Sequence, residues 1–331
     1  MRKILSVLII VMLLFCVVAC SNTETNNGDV TASMGGAIFG DSIYFICAQS
    51  AGGETDVNGR LLAKYLEKEL GVNIVFSNLP GSNGAIALTQ YKDAEPTADT
   101  FIVTSSLPLA GNYATGLMDF SYTAYDPVAI FGISSGVMIL VPGDAPYDTL
   151  EELIAATNER PNEIIYGAPT GGASYLASYL AMNKEYGAHL GFMEAGDGND
   201  RLLALLGGHI DVCDTALLGA KDYLESGELK ALATLASVPN ATYPDIVPAS
   251  SMYPKMVEDT CYVLLAIKGT DPAVINKMNE AVSNVINNSE YQKEYYDMNL
   301  QNALCMSVED TIQKLEEQKN LFVGLATLME E

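Results

Sequence analysis

Apolar positions along the chain follow two rhythms. Short continuous apolar runs alternate with longer stretches in which apolar residues recur every third or fourth position. Ser42–Ala48 and Asn73–Ser77 are runs of the first kind, which suits strands covered on both faces. Between them Val57, Leu61, Leu62, Tyr65, Leu66 and Leu70 recur at helical spacing, and the stretch stops at Gly71, a residue that closes helices at no steric cost. A loop over Leu79–Gly84, a helix over Ala85–Lys92 and a strand over Phe101–Ser105 follow. Alternation of this kind predicts a parallel sheet with helices on both faces.

A second series begins at the apolar run Val137–Val141. Thr149 with Glu152 forms a capping box for a helix over Leu150–Asn158, because each side chain can reach a free N–H at the helix start. Strands at Ile164–Tyr166, His189–Phe192, Ile210–Cys213 and Ala231–Leu235 alternate with helices at Ser174–Tyr186, Asn199–Leu206 and Leu217–Ser226. After a proline-bearing loop comes a strand at Tyr262–Ile267, and Asp271-Pro272 opens a long helix. Helices over Glu290–Asp297 and Val308–Met329 close the chain. There are more units than one sheet accommodates, and the last helices have no strands to pair with. The expectation is two doubly wound α/β domains joined by two hinge strands, near Val137–Val141 and Tyr262–Ile267. Residues 40–139 with 264–331 form the first domain and residues 140–263 the second.

The start of the chain reads differently. Met1-Arg2-Lys3 precedes Ile4–Val18, an apolar run broken only by Ser6. That run is shorter than the roughly 20 residues a membrane span needs and fits a secretory signal peptide over residues 1–19. Val17-Val18-Ala19-Cys20 resembles the lipobox of bacterial lipoproteins. The resemblance implies cleavage before Cys20, lipidation of its thiol (the palmitate-type modification) and anchoring in the lipid bilayer; an ordinary signal peptide or an uncleaved anchor is the alternative. Ser21–Ser33 is polar and aperiodic, so residues 20–39 read as a flexible tether behind the lipidated cysteine.

Composition narrows the function. Against 41 acidic residues stand 17 basic ones, for a formal charge of −24 in 331 residues, and loss of Arg2 and Lys3 with the leader would deepen it. Without a basic stripe to neutralise phosphates, nucleic acid is excluded as a partner. Two histidines leave little for zinc or acid–base chemistry. Cys47, Cys213, Cys261 and Cys305 form no C-x-x-C pair and read as buried thiols, with a disulfide of unassigned pairing the alternative. Ser174 lies in Gly172-Ala173-Ser174-Tyr175-Leu176, which lacks the second glycine of a hydrolase nucleophile elbow. His189 and His209 read as surface or packing residues, and Asp197, Asn199 and Asp200 lack the later ligands of a calcium loop. The expectation is a non-enzyme without cofactor or metal.

Two glycine loops remain as candidate chemistry. Ala51-Gly52-Gly53-Glu54-Thr55-Asp56 joins the first strand to the first helix, and Thr170-Gly171-Gly172-Ala173-Ser174 does the same in the second series. In open α/β sheets ligands sit beyond the carboxyl ends of strands, against helix N-termini. Two such loops would grip opposite ends of a small anion; turn punctuation with helix caps at Asp56 and Ser174 is the other reading. Neither loop matches a nucleotide fingerprint.

The first loop with Arg60-Leu61-Leu62-Ala63 is followed by Asn78-Leu79-Pro80-Gly81-Ser82-Asn83-Gly84 and then by Tyr125-Asp126-Pro127-Val128. The Gly171–Ser174 loop, Leu205–Asp211 and Gly227–Ala233 continue the series. Taken in that order, these segments resemble the tripartite tricarboxylate transporter solute-binding receptors, the Bug-type family. The resemblance implies a monomeric extracytoplasmic receptor of the periplasmic-binding-protein type, closing on a ligand like a Venus flytrap. Such a receptor delivers a small carboxylate, or an amino acid, to membrane transporter subunits. Its implied ligand contacts are Ser50, Gly52, Gly53, Asp56 and Ser105 in the first domain. In the second they are Thr170, Gly171, Ser174, Ala195 and Asp214. Asp56 and Asp214 either hold waters and amides in the site or serve as structural caps. Glu54 and the loop Glu194–Asp200 with Asp197 are more acidic than the family pattern, which leaves room for a ligand with a cationic group; acids that simply face solvent are the other reading. A surface lipoprotein of the same fold acting as a sensor or adhesion partner is the alternative.

Overall fold

A computed structural model describes residues 38–170, 172–196 and 198–330. The leader, Cys20, nearly all of the tether, Gly171 and Asp197 lie outside the described residues.

The chain builds two five-stranded sheets. In the first lobe β1 (Ser42–Cys47), α1 (Glu54–Leu70), β2 (Asn73–Asn78), α2 (Ala85–Tyr91), β3 (Thr100–Ser105) and β4 (Tyr125–Ile133) follow one another. The second lobe holds β5 (Val137–Pro142), α3 (Leu150–Glu159), β6 (Ile165–Ala168), α4 (Gly172–Tyr175), α5 (Ala181–Glu185), β7 (Gly191–Glu194), α6 (Gly198–Leu206), β8 (Val212–Ala216), α7 (Leu217–Ser226) and β9 (Leu229–Thr234). Then β10 (Cys261–Ile267), α8 (Pro272–Ile286), α9 (Ser289–Asn299) and α10 (Val308–Ala326) complete the chain. Strand orders are β2-β1-β3-β10-β4 and β7-β6-β8-β5-β9. The two lobes thus share one topology without a sequence repeat.

Both sheets are mixed rather than parallel. β10 runs antiparallel to β3 and β4, and β5 antiparallel to β8 and β9. The reason lies in how the chain changes lobes. Cys261 pairs with Ile133 and Tyr262 with Ser105, while Val137 pairs with Ala216 and Met138 with Thr234. Each crossing strand therefore enters its new sheet at the carboxyl ends of its neighbours and must run against them. The expected hinge strands belong wholly to one sheet each. The crossings are Ser134–Gly136 and the segment before Cys261, where the Ser134 N–H donates to the Thr260 carbonyl at 2.9 Å. Both carboxyl edges thereby meet at the hinge, which positions a site between the lobes.

Side chains alternate across each sheet as strand geometry requires. In β10, Tyr262, Leu264 and Ala266 enter one core with α1, α8 and α9, while Cys261, Val263 and Leu265 enter the core on the opposite face. Local caps behave as the residues dictate. Gly71 ends α1 at φ 67°, Asp271 caps Ala273 N–H at 2.8 Å, and Thr149 accepts from Glu152 N–H at 3.2 Å. The strand β4 has no counterpart among the expected elements because Pro127 interrupts its apolar run. It sits at the sheet edge, beside a register shift opposite Leu264 and Leu265, where a missing N–H is tolerated.

The last helix departs from its expected place in the first domain alone. Thr311 Oγ1 accepts from Ile130 N–H at 3.0 Å and Leu315 joins a first-lobe core. Phe322, Leu325 and Leu328 are buried in the second-lobe core. Its apolar stripe is long enough to reach both cores, so α10 and the turn after it bridge the lobes.

Candidate functional site

A cleft of about 830 Å³ lies between the lobes, within the usual range for small-molecule sites. Its first-lobe wall comprises Asn83, Leu107, Asn112, Thr115, Gly116 and Leu117; its second-lobe wall includes Thr170, Gly172, Ser174, Gly196, Gly198 and Arg201. Both walls come from segments that follow strand carboxyl ends.

On the first wall Asn83 belongs to a turn in which Gly81, Ser82, Asn83 and Gly84 all have positive φ. Non-glycine residues there store backbone strain. The turn is held by Asn83 Nδ2 donating to Asn112 Oδ1 and Asn112 Nδ2 donating to the Asn83 carbonyl, both at 3.1 Å. Asn112 comes from a π-helical turn, Pro108–Asn112; a second one, Leu176–Leu180, joins α4 to α5 in the other lobe. The lobes touch where the first π turn meets α4. A Cβ on Gly111 would stand 3.1 Å from Ala173 N, so any side chain there would have to push its neighbour back by a few tenths of an ångström.

On the second wall Thr170 Oγ1 donates to Glu194, and Ser174 Oγ donates to Glu258 Oε1 at 3.1 Å. Arg201 is nearly buried and is fixed by the carbonyls of Asp214 at 2.7 Å and Gly196 at 2.9 Å. Its Nε stands 3.7 Å from Asp214 Oδ1. Asp214 is wholly buried behind it, and among the described residues neither carboxylate oxygen has a hydrogen-bond donor. Glu258 reaches the same place from the second crossing. Burial first, then the negative charge of Asp214, pushes its carboxyl up to about 8.

Ser50, Gly52, Gly53 and Ser105 are not among the residues lining this cleft. Gly52 N–H donates to Asp56 Oδ2 at 2.8 Å and Gly53 N–H to the Ser50 carbonyl at 3.2 Å. Asp56 thus supplies internally the anion that the loop would otherwise seek. Its Oδ1 accepts from Arg60 at 2.9 Å and Asn78 at 2.8 Å. Burial pushes this carboxyl up, and those donors more than reverse the effect, leaving it below the ordinary carboxylate range. Ser105 is buried at the end of β3, and the Ala195 N–H donates to the Ala168 carbonyl at 3.0 Å. Glu54 turns toward the hinge and accepts from Tyr262 Oη at 3.2 Å; burial raises its carboxyl.

Of the expected contacts, Thr170 and Ser174 face the cleft, Asp214 backs it, and Gly171 lies outside the described residues. Sequence reasoning missed Asn112, Arg201 and Glu258. Asn83 stood in a recognised turn, whereas Glu258, 84 residues from Ser174, carried no local signal.

A family model described as "Tripartite tricarboxylate transporter family receptor" matches residues 59–323. The chain is 26% identical over 285 residues to a UPF0065 protein of Cupriavidus necator, covering 82% of this chain and 84% of that one. A TctC solute-binding protein from Polaromonas has a similar fold, with a TM-score of 0.74 at 23% identity over 86% of this chain and 98% of the other. The MatC protein of Rhodopseudomonas palustris, with bound malate, is similar at a TM-score of 0.68 and 22% identity, over 87% of this chain and 100% of that one.

Proposed function

Because the chain belongs to the tripartite tricarboxylate transporter receptor family, we propose that it captures a small carboxylate-bearing solute between its lobes, outside the cytoplasm, and hands it to the membrane subunits of a transporter of that family. The observation that carries this reading is the cleft lined by both lobes, with Arg201 and the start of α6 on one wall and the Asn83–Asn112 pair on the other. A carboxylate placed at the start of α6 would meet the partial positive charge at the N-terminal end of a nine-residue helix. The protein works as a monomer, tethered to the membrane through lipidated Cys20, with its ligand bound by residues such as Thr170, Ser174, Asn83 and Arg201. The MatC relative with bound malate supports a small organic acid as the ligand class.

Calorimetric titration of the purified protein with mono-, di- and tricarboxylates, amino acids among them, tests this reading. A saturable one-to-one heat with at least one acid is expected. If the protein is folded and none of them binds, the receptor reading fails.

A further inference from the structure

Behind the second-lobe wall two buried carboxyls, Asp214 and Glu258, share one cation among the described residues. Asp214 is wholly buried and Glu258 is 2% exposed. Arg201 Nε stands 3.7 Å from Asp214 Oδ1, while Lys314 of α10 is taken by Asp259 at 2.7 Å. Both oxygens of Asp214 and Oε2 of Glu258 lack a hydrogen-bond donor among the described residues. A buried carboxylate without its own cation is costly. One proton removes that charge and, unlike a water molecule or a metal ion, needs no space. Burial, then the charge of Asp214, lifts the Glu258 carboxyl to about 8, against the Ser174 hydroxyl and Arg201, with Asp259 adding to the rise. Tyr166 and Cys213, which stand near Asp214, are held neutral by burial. Glu194 is exposed and bonds Thr170, and both histidines are exposed and outside the cleft lining.

Ser174 links this proton to the cleft. It lines the cleft, and its Oγ donates to Glu258 Oε1 at 3.1 Å. A hydroxyl has one proton and two lone pairs, and a protonated carboxyl is itself a donor. With Glu258 neutral the bond can reverse: the carboxyl proton goes to Ser174 Oγ, and the hydroxyl proton turns to an anion in the cleft. With Glu258 ionised the Ser174 proton stays with the carboxylate, and a further negative charge stands behind the wall. We propose that Glu258 is a positioning residue for ligand capture that acts through Ser174, its bound proton freeing the Ser174 hydroxyl to donate to the ligand's carboxylate. This role rests on the receptor reading above and concerns the regulation of that same cleft. Ser174 is one donor among several on the walls, Arg201 included, so ionisation of Glu258 weakens capture without abolishing it.

Calorimetry with malate, succinate and adipate, whose own carboxyls stay ionised, tests this between about pH 7 and about pH 9. If only the neutral form bound, affinity would follow its fraction and fall about tenfold over that range; weaker binding by the ionised form leaves a fall of about threefold to tenfold. At about pH 8, titrations in buffers of different ionisation enthalpy should count roughly 0.3–0.5 proton taken up per ligand, a reading that needs no variant. Glu258→Gln has no proton to take up, so its slope should vanish whatever its affinity at neutral pH. Ser174→Ala should weaken binding and flatten the slope. A wild-type change below about threefold, or uptake below about 0.1 proton, overturns this role while the receptor reading stands. So does either variant keeping the full wild-type slope. If none of the three acids binds while another acid of the wider series does, this role falls alone; if every acid fails, the receptor reading falls with it.

Discussion

Glu258 ties stability to pH through a single proton, and the effect can be isolated by Glu258→Gln. Its carboxyl is buried at the second crossing, where Asp214 and Asp259 raise its pKa and the Ser174 hydroxyl and Arg201 lower it. The first pair of influences, together with burial, dominates, and the pKa rises from 4.5 to about 8. Below the unfolded value both states carry the proton, and the stabilisation relative to the ionised form is fully present. Above it the unfolded chain has lost the proton while the folded chain retains it, so stability falls as pH rises toward the folded pKa. The slope for one proton is about 1.4 kcal/mol per pH unit. Across the whole window this amounts to roughly 5 kcal/mol, and between about pH 5.5 and about pH 7.5 to roughly 3 kcal/mol. Glutamine keeps the shape and an acceptor for Ser174 but takes up no proton, so the variant lacks this slope. Urea unfolding of both proteins at several pH values between those limits measures the difference directly. The variant should gain about 3 kcal/mol on the wild type as pH rises across that range. Parallel stability curves would refute the reasoning, because they would mean that Glu258 is ionised in the folded protein or reached by water.

Two further outcomes follow from the bridge and the lobe contact. Phe322 is 1% exposed within the second-lobe core, so Phe322→Ala should cost about 3–5 kcal/mol in urea unfolding; a loss below about 1 kcal/mol would mean that the far half of α10 is not packed there. Gly111→Val would press a branched side chain against Ala173, 3.1 Å from a Cβ, so ligand affinity measured by calorimetry should fall by about tenfold or more through incomplete closure. Unchanged affinity would show that this approach is not kept in the closed, liganded state.

Much of the fold was legible in the chain because strand and helix periods, caps and turn residues act over a few positions. The helix from Glu54 to its glycine stop at Gly71, the Asp271 cap and the Thr149 cap all form where their residue types call for them. β4 escaped notice because Pro127 is a breaker in any central strand, and only its place at an edge makes it acceptable. The candidate site was half legible. Thr170 and Ser174 lie in a glycine loop at a strand end, but an equally persuasive loop at Gly52 and Gly53 has its N–H groups taken by Asp56 and Ser50.

The sequence by itself determined the alternating elements, the two-lobed architecture and the family pattern, because each rests on local spacing and apolar periodicity. Only the tertiary structure decided the direction of β5 and β10, the bridging of both cores by α10, and which groups in the cleft are left with a lone pair or a proton to offer. Those outcomes depend on partners far apart in the chain. The Ser174 hydroxyl donates to Glu258, 84 residues away, because the second crossing brings that carboxyl to the cleft wall.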